Sequence, residues 1–114
     1  MLYFYNMSRE KNEDHVYKAL ADSRRREILD LLKEEPMTTG DICSKFKKLD
    51  RCTVMQHLGV LEKAGLIFIQ KKGKFRWNYL NSVPIREIYD RWINKYASPK
   101  VELLRDLKRD LESK

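Results

Sequence analysis

The sequence predicts a mainly α fold with one small β-hairpin, in the order helix, helix, helix, helix, hairpin, helix, helix. Three observations carry this. Apolar residues recur at helical spacing along most of the chain, one stretch after Leu66 switches to a period of two, and cap and stop residues cut the remainder into helix-length pieces.

The first helix is expected over 13–21, with Val16, Tyr17 and Leu20 on one face. Asp22 is a good N-cap for a second helix over 23–34, whose Ile28, Leu31 and Leu32 fall at i, i+3, i+4 and which Pro36 ends. Thr38 opens a short third helix, because Thr38-x-x-Asp41 follows the capping-box spacing with Asp in place of Glu. Ile42 and Phe46 lie one turn apart and should face the core, and Lys47, Lys48 and Leu49 form the turn that follows.

Asp50 caps the fourth helix, which runs to about Ala64, with Gly65 where a left-handed C-cap belongs. Val54, Leu58 and Leu61 recur at i, i+4, i+7 and must point inward. Arg51, Met55 and Gly59 share another stripe with Cys52 and Gln56 beside it, and no acid interrupts it. Leu66 to Gln70 is β-prone, Lys71-Lys72-Gly73-Lys74 is a basic turn, and Phe75, Trp77 and Tyr79 then alternate with Arg76 and Asn78. The aromatic side of that strand is expected to pack the sheet rather than to form a stacking platform. Ser82 begins a fifth helix in which Ile85, Ile88, Tyr89, Trp92, Ile93 and Tyr96 keep helical spacing throughout. Ser98-Pro99 starts a sixth, edged by Leu104, Leu107 and Leu111.

Charge is distributed unevenly. The net charge is +7, and the 32 residues from Lys45 to Arg76 hold nine bases against two acids, Asp50 and Glu62. Outside that stretch fifteen bases meet fifteen acids, so the whole excess sits near the middle. A localised basic patch on a balanced chain points to a polyanion, nucleic acid first. No run of apolar residues is long enough for a membrane span, and Leu2-Tyr3-Phe4-Tyr5 is too short for a signal-peptide core. Cys43 and Cys52 do not form a CxxC, which suits free thiols in a cytoplasmic protein. The chain divides into an N-terminal extension over 1–12, flexible or docked, a DNA-binding unit over 13–96 and a C-terminal helix over 97–114 for dimerisation.

A short helix, a turn, a second helix with an acid-free outer stripe and a cationic hairpin together make a winged helix-turn-helix. The helix can reach base edges in the major groove, and the hairpin bases can neutralise phosphates or enter the minor groove. The reading residues expected are Arg51, Cys52, Thr53, Met55 and Gln56, with Lys48, Lys71, Lys72, Lys74 and Arg76 on the backbone and wing. A competing reading is a winged-helix protein-interaction module, but that would carry mixed or apolar chemistry where this chain gathers its positive charge. An enzyme is not expected: there is no Gly-rich phosphate loop, metal triad or nucleophile-His-acid set. Arg24-Arg25-Arg26 fits either phosphate contact or a solvated first turn. The large apolar faces of the first, fifth and sixth helices exceed what a core this small can cover. A two-fold interface is therefore expected through Tyr17, Leu20, Tyr89, Trp92, Ile93, Tyr96, Leu104 and Leu107.

Three segments also resemble the ArsR-type winged-helix regulators. Residues 19–29, ALADSRRREIL, resemble that family's LADPTRRxIL opening; residues 53–66, TVMQHLGVLEKAGL, resemble its TVSxHLxxLxxAGLV recognition segment; residues 72–81, KGKFRWNYLN, resemble its xGRxxxYxLN wing. The resemblance spans residues 15 to 96 in the right order and spacing. It implies a homodimer joined mainly through its first and last helices, bound to an imperfect palindrome in promoter DNA, most members being repressors released by a signal. It carries Arg51, Cys52, Met55 and Gln56 onto DNA-facing positions, although the family usually has small hydroxyl residues where this chain has Cys52 and Met55. It makes His57 a packing or hydrogen-bonded residue. Independently of the resemblance, Cys43 is expected to be buried and inert, and Cys52, near a helix N-terminus beside Arg51, is a candidate thiol sensor. Metal sensors of the family carry Cys-Val-Cys where this chain has Met37 to Asp41, or an Asp-x-His pair where it has Asp90-Arg91-Trp92. The resemblance therefore implies the metal-independent branch, with no metal and no cofactor.

Overall fold

The computed structural model describes residues 2–97 and 100–113. Helices α1 (Leu2–Leu20), α2 (Ser23–Glu34), α3 (Thr39–Lys45), α4 (Arg51–Lys63), α5 (Val83–Arg91) and α6 (Lys100–Glu112) accompany strands β1 (Met37–Thr38), β2 (Ile67–Lys72) and β3 (Phe75–Leu80). The fold is mainly α with a small antiparallel wing, a winged helix-turn-helix. No helix among the described residues is long and apolar enough to cross a membrane.

One core holds the fold together. Val16 and Ala19 of α1, Ile28 and Leu32 of α2, Ile42 of α3, Val54, Leu58 and Leu61 of α4, Leu66, Ile67 and Ile88 are all buried. Each fully buried Leu, Ile or Val stabilises by about 1.5–3 kcal/mol, so three of them on one face of α4 fix how that helix is rolled. On α2 the third buried position is Leu29, with Leu31 only partly covered.

Four features depart from expectation. The helix expected over 13–21 begins at Leu2, and no Gly or Pro interrupts that stretch. The sheet has a third strand: β1 pairs antiparallel with β3, Met37 opposite Asn78 and Thr38 opposite Trp77.

The aromatic side of the hairpin, expected to pack the sheet, is the less covered of its two faces. Ile67 and Ile69 lie opposite Leu80 and Asn78, and this is the covered side. Phe68 lies opposite Tyr79 and Gln70 opposite Trp77, on the outer side, where Phe68 is 60% and Phe75 51% exposed. The inner position goes to Asn78 because its amide donates to the Met37 carbonyl at 3.1 Å and the Thr39 hydroxyl at 3.2 Å. A phenylalanine there could satisfy neither group.

Finally, the fifth helix stops at Arg91. Trp92 leaves helical geometry at φ −132°, ψ −53°, and a 3-10 turn over Ile93–Lys95 follows. Trp92 instead stacks edge-on with Tyr17 and Tyr96, at ring-centroid distances of 5.9 and 5.2 Å. The expected Ser98-Pro99 cap of α6 lies outside the described residues. α6 has no buried residue, and Leu103, Leu104, Leu107 and Leu111 are all more than half exposed.

Candidate nucleic-acid interface

The reading helix is built from local signals at both ends. Asp50 sits in extended geometry, and its Oδ1 accepts the Thr53 backbone N–H at 2.7 Å. That hydrogen bond holds the Asp50 carboxyl below the usual carboxylate range. At the other end Gly65 takes φ +76°, Leu66 N–H reaches the Leu61 carbonyl at 3.0 Å and Gly65 N–H the Glu62 carbonyl at 2.9 Å. This pair of bonds is the Schellman closure that turns the chain into β2. The preceding helix α3 is capped by Thr38, whose hydroxyl accepts the Asp41 N–H at 3.1 Å.

With Val54, His57, Leu58 and Leu61 buried, the opposite face of α4 is presented outward. Arg51, Cys52, Gln56 and Gly59 are exposed, and Met55 and Thr53 are half-buried. Thr53 is engaged by the Asp50 cap through its backbone N–H. Lys48 is exposed in the turn before α4. Cys52 is an exposed free thiol, and Cys43 is half-buried against the core rather than fully enclosed.

The hairpin turns on Gly73 at φ +61° followed by Lys74. A positive φ at the first central residue alone matches a type II′ turn, which suits the twist of the flanking strands. The wing bases fall on two sides. Lys74 and Arg76 line a cleft with Arg51 and residues Thr38 to Asp41 of the α3 N-terminus. Lys71 pairs with Arg76 and shares its face. Lys72 lies on the outer face, 5.9 Å over the Tyr79 ring, and lines a separate groove with Lys45, Met37 and Trp77. The basic residues grouped by the sequence therefore separate into one set that joins the N-terminus of α4 and one that does not.

Two of the three arginines at the start of α2 have a role that the sequence did not reveal. Arg25 donates from Nε to the Ala19 carbonyl at 2.8 Å and from Nη2 to the Lys18 carbonyl at 3.0 Å, and Arg26 donates to the Leu20 carbonyl at 2.6 Å. Two cations thus satisfy the last carbonyls of α1 and oppose its C-terminal dipole. The only sequence signal was their position directly after the Asp22 cap, where the chain reverses.

The residues expected at a two-fold interface fall on α1, on 89–96 and on α6. Tyr17 and Leu20 are partly buried against the core, whereas Tyr89, Trp92, Ile93, Tyr96, Leu104 and Leu107 are exposed at 37–62%. Leu103, absent from the expected set, is the most exposed leucine of α6 at 70%. Arg91 and Glu13 pair at 2.8 Å and tie α5 to α1 beside Tyr17. Burial raises the Tyr17 phenol above its ordinary value.

Comparison with known proteins agrees with this geometry. A family described as a helix-turn-helix domain matches residues 20–67. The HTH-type transcriptional regulator YuzN of Bacillus subtilis is 38% identical over 88 residues, covering 72% of this chain and 96% of YuzN. The transcriptional repressor SdpR of the same organism is 36% identical over 81 residues, covering 71% of this chain and 89% of SdpR. Among solved structures, an ArsR family transcriptional regulator superimposes with a TM-score of 0.70 at 25% identity, over 84% of this chain and 93% of that one.

Proposed function

This chain belongs to the ArsR-family helix-turn-helix transcriptional regulators, and from that premise we propose that it is a repressor binding a palindromic promoter site as a homodimer. It is a DNA-binding regulator and not an enzyme. The observation that carries the reading is the shared cleft of Arg51, Lys74 and Arg76 beside the exposed stripe of Cys52 and Gln56 at the N-terminal end of α4. A helix seated in the major groove through that stripe places wing cations against the flanking backbone.

Residues 13–96 form the DNA-binding unit, preceded by the extension 1–12, and 97–114 the dimerisation arm. Support for the dimer is the exposure of Trp92, Ile93 and Tyr96 and of four leucines on α6, apolar side chains that a second copy would cover. Repression is inferred from the likeness to SdpR. The metal-independent reading rests on residues 37–41 and 90–92, which lack the cysteine pair and the histidine that metal sensing needs. We place the protein in the cytoplasm, with both thiols free.

Selecting bound duplexes from a random pool tests this reading. It expects an inverted repeat with half-sites about one helical turn apart or a multiple of that. Failure to enrich any sequence would remove specific DNA reading.

A further inference from the structure

Arg25 meets three helices at once. Besides the two carbonyls of α1, its Nη1 lies 3.3 Å from Nδ1 of His57 in α4, and 3.9 Å from the carboxylate of Asp22, the cap of its own helix. The Arg25 side chain is only 14% exposed and His57 only 9%. A guanidinium only donates, so in this contact His57 Nδ1 can serve only as the acceptor. The His57 Nε2 is buried and has no hydrogen-bond partner among the described residues.

A buried imidazole with one orphaned nitrogen is a poor way to fill space, since an apolar side chain would fill it without an unsatisfied group. What the imidazole supplies is a fixed acceptor for Arg25. We propose that Arg25 is a positioning residue that, through His57, holds the reading helix α4 at a fixed disposition to the C-terminal end of α1. This inference rests on the dimeric DNA-reading function proposed above. In a dimer joined partly through α1, that disposition sets the distance between the two reading helices. A rigid fork with several donors can bind two carbonyls and an imidazole together, and an ammonium cannot match that geometry.

The consequence is specific to spacing. His57→Leu fills the site and removes the acceptor, while Arg25 keeps its two carbonyl acceptors on α1, so the variant should fold. It should lose about tenfold in affinity for the palindrome, the scale of one hydrogen bond to a charged group. Its affinity for a duplex carrying a single half-site should stay within about twofold, because one reading helix needs no spacing; that margin is our allowance for experimental scatter. Wild type should also reject palindromes whose half-sites are moved by one base pair, and His57→Leu should lose that discrimination. His57→Gln, whose amide oxygen can accept from Arg25, should regain most of it. Arg25→Lys should behave like His57→Leu and provides the test should the leucine variant not fold.

The measurements are titrations of the selected palindrome, its shifted-spacing forms and the single half-site, with Tm recorded for each variant. Full retention of spacing discrimination in folded His57→Leu or Arg25→Lys overturns the proposal. So does an equal loss on palindrome and half-site accompanied by a fall in Tm, which marks a merely structural contact. If wild type itself binds no duplex selectively, it is the DNA-reading function that fails.

Discussion

The Asn78 side-chain amide donates to the Met37 carbonyl at 3.1 Å, joining two residues 41 positions apart. This one side chain fastens the wing to the strand that leads into α3. Asn78→Ala should cost about 1–3 kcal/mol, because the buried Met37 carbonyl and Thr39 hydroxyl lose a donor. Asn78→Asp should cost more, since it buries a carboxyl where a donor is required. Urea unfolding measures both, and an alanine variant as stable as wild type would remove Asn78 from the anchoring of the wing.

Acid should loosen the reading unit through two helix caps. Backbone hydrogen bonds, from Arg24 to Asp22 and from Thr53 to Asp50, lower both carboxyl pKa values below their ordinary 3.8. The folded state then binds fewer protons than the unfolded state, so the stabilisation is complete above the unfolded value and is lost as pH falls through the folded ones. Tm should hold steady down to about pH 5 and fall below about pH 4. The double variant Asp22→Asn, Asp50→Asn keeps capping groups without the titration and should show a shallower fall. An unchanged acid profile would assign the loss to other carboxyls.

These two relationships differ in how far the sequence disclosed them. The ends and the inward face of α4 were legible: Asp50, the spacing of Val54, Leu58 and Leu61, and Gly65 are signals carried by residues within one helix length. The β1 strand was not, because two residues have no periodicity and their partners lie near position 78. Alternation in the hairpin gave the period but not which side faces in, and the answer depended on a hydrogen bond from Asn78 across the sheet. The fifth helix kept its apolar spacing through Tyr96, yet the chain leaves helical geometry at Trp92 where the aromatics stack. The role of Arg25 required knowing that the ends of α1 and α2 meet.

Salt dependence should separate the two sides of the wing. Replacing Lys74 and Arg76 together by Ala should flatten the slope of log affinity against log salt by about 1–2 units, since each neutralised phosphate contributes about −0.9. Lys72→Ala, on the outer face, should change it by less than about half as much. Equal effects from both variants would mean that DNA also touches the outer face.

On the reading stripe, stability and binding should move in opposite directions. Gly59 is exposed on α4 and a Cβ there would meet nothing within 4 Å. Gly59→Ala should therefore stabilise the protein by about 0.5–1 kcal/mol. If the stripe lies against DNA, the same methyl should weaken binding. Gln56→Ala should relax the preference at one position per half-site and leave non-specific binding nearly intact, because glutamine pairs bidentately with adenine. Sequence selection on each variant reads this directly, and an unchanged selected site would exclude Gln56 as a reader.

Leucine truncations should isolate the arm. Leu104→Ala and Leu107→Ala remove side chains that are 62% and 53% exposed in a single chain, so they should cost the fold little. They should weaken self-association, and with it palindrome binding. A sedimentation series over protein concentration checks this, and variants that associate as tightly as wild type would move the interface off α6.

The central claim is that two copies act together on one site, and light scattering of the eluting protein tests it most directly. At micromolar concentration the account predicts a particle of twice the 13.7 kDa chain, and two chains on each duplex carrying the selected palindrome. A well-folded particle of one chain that binds the palindrome tightly as a single copy would contradict it.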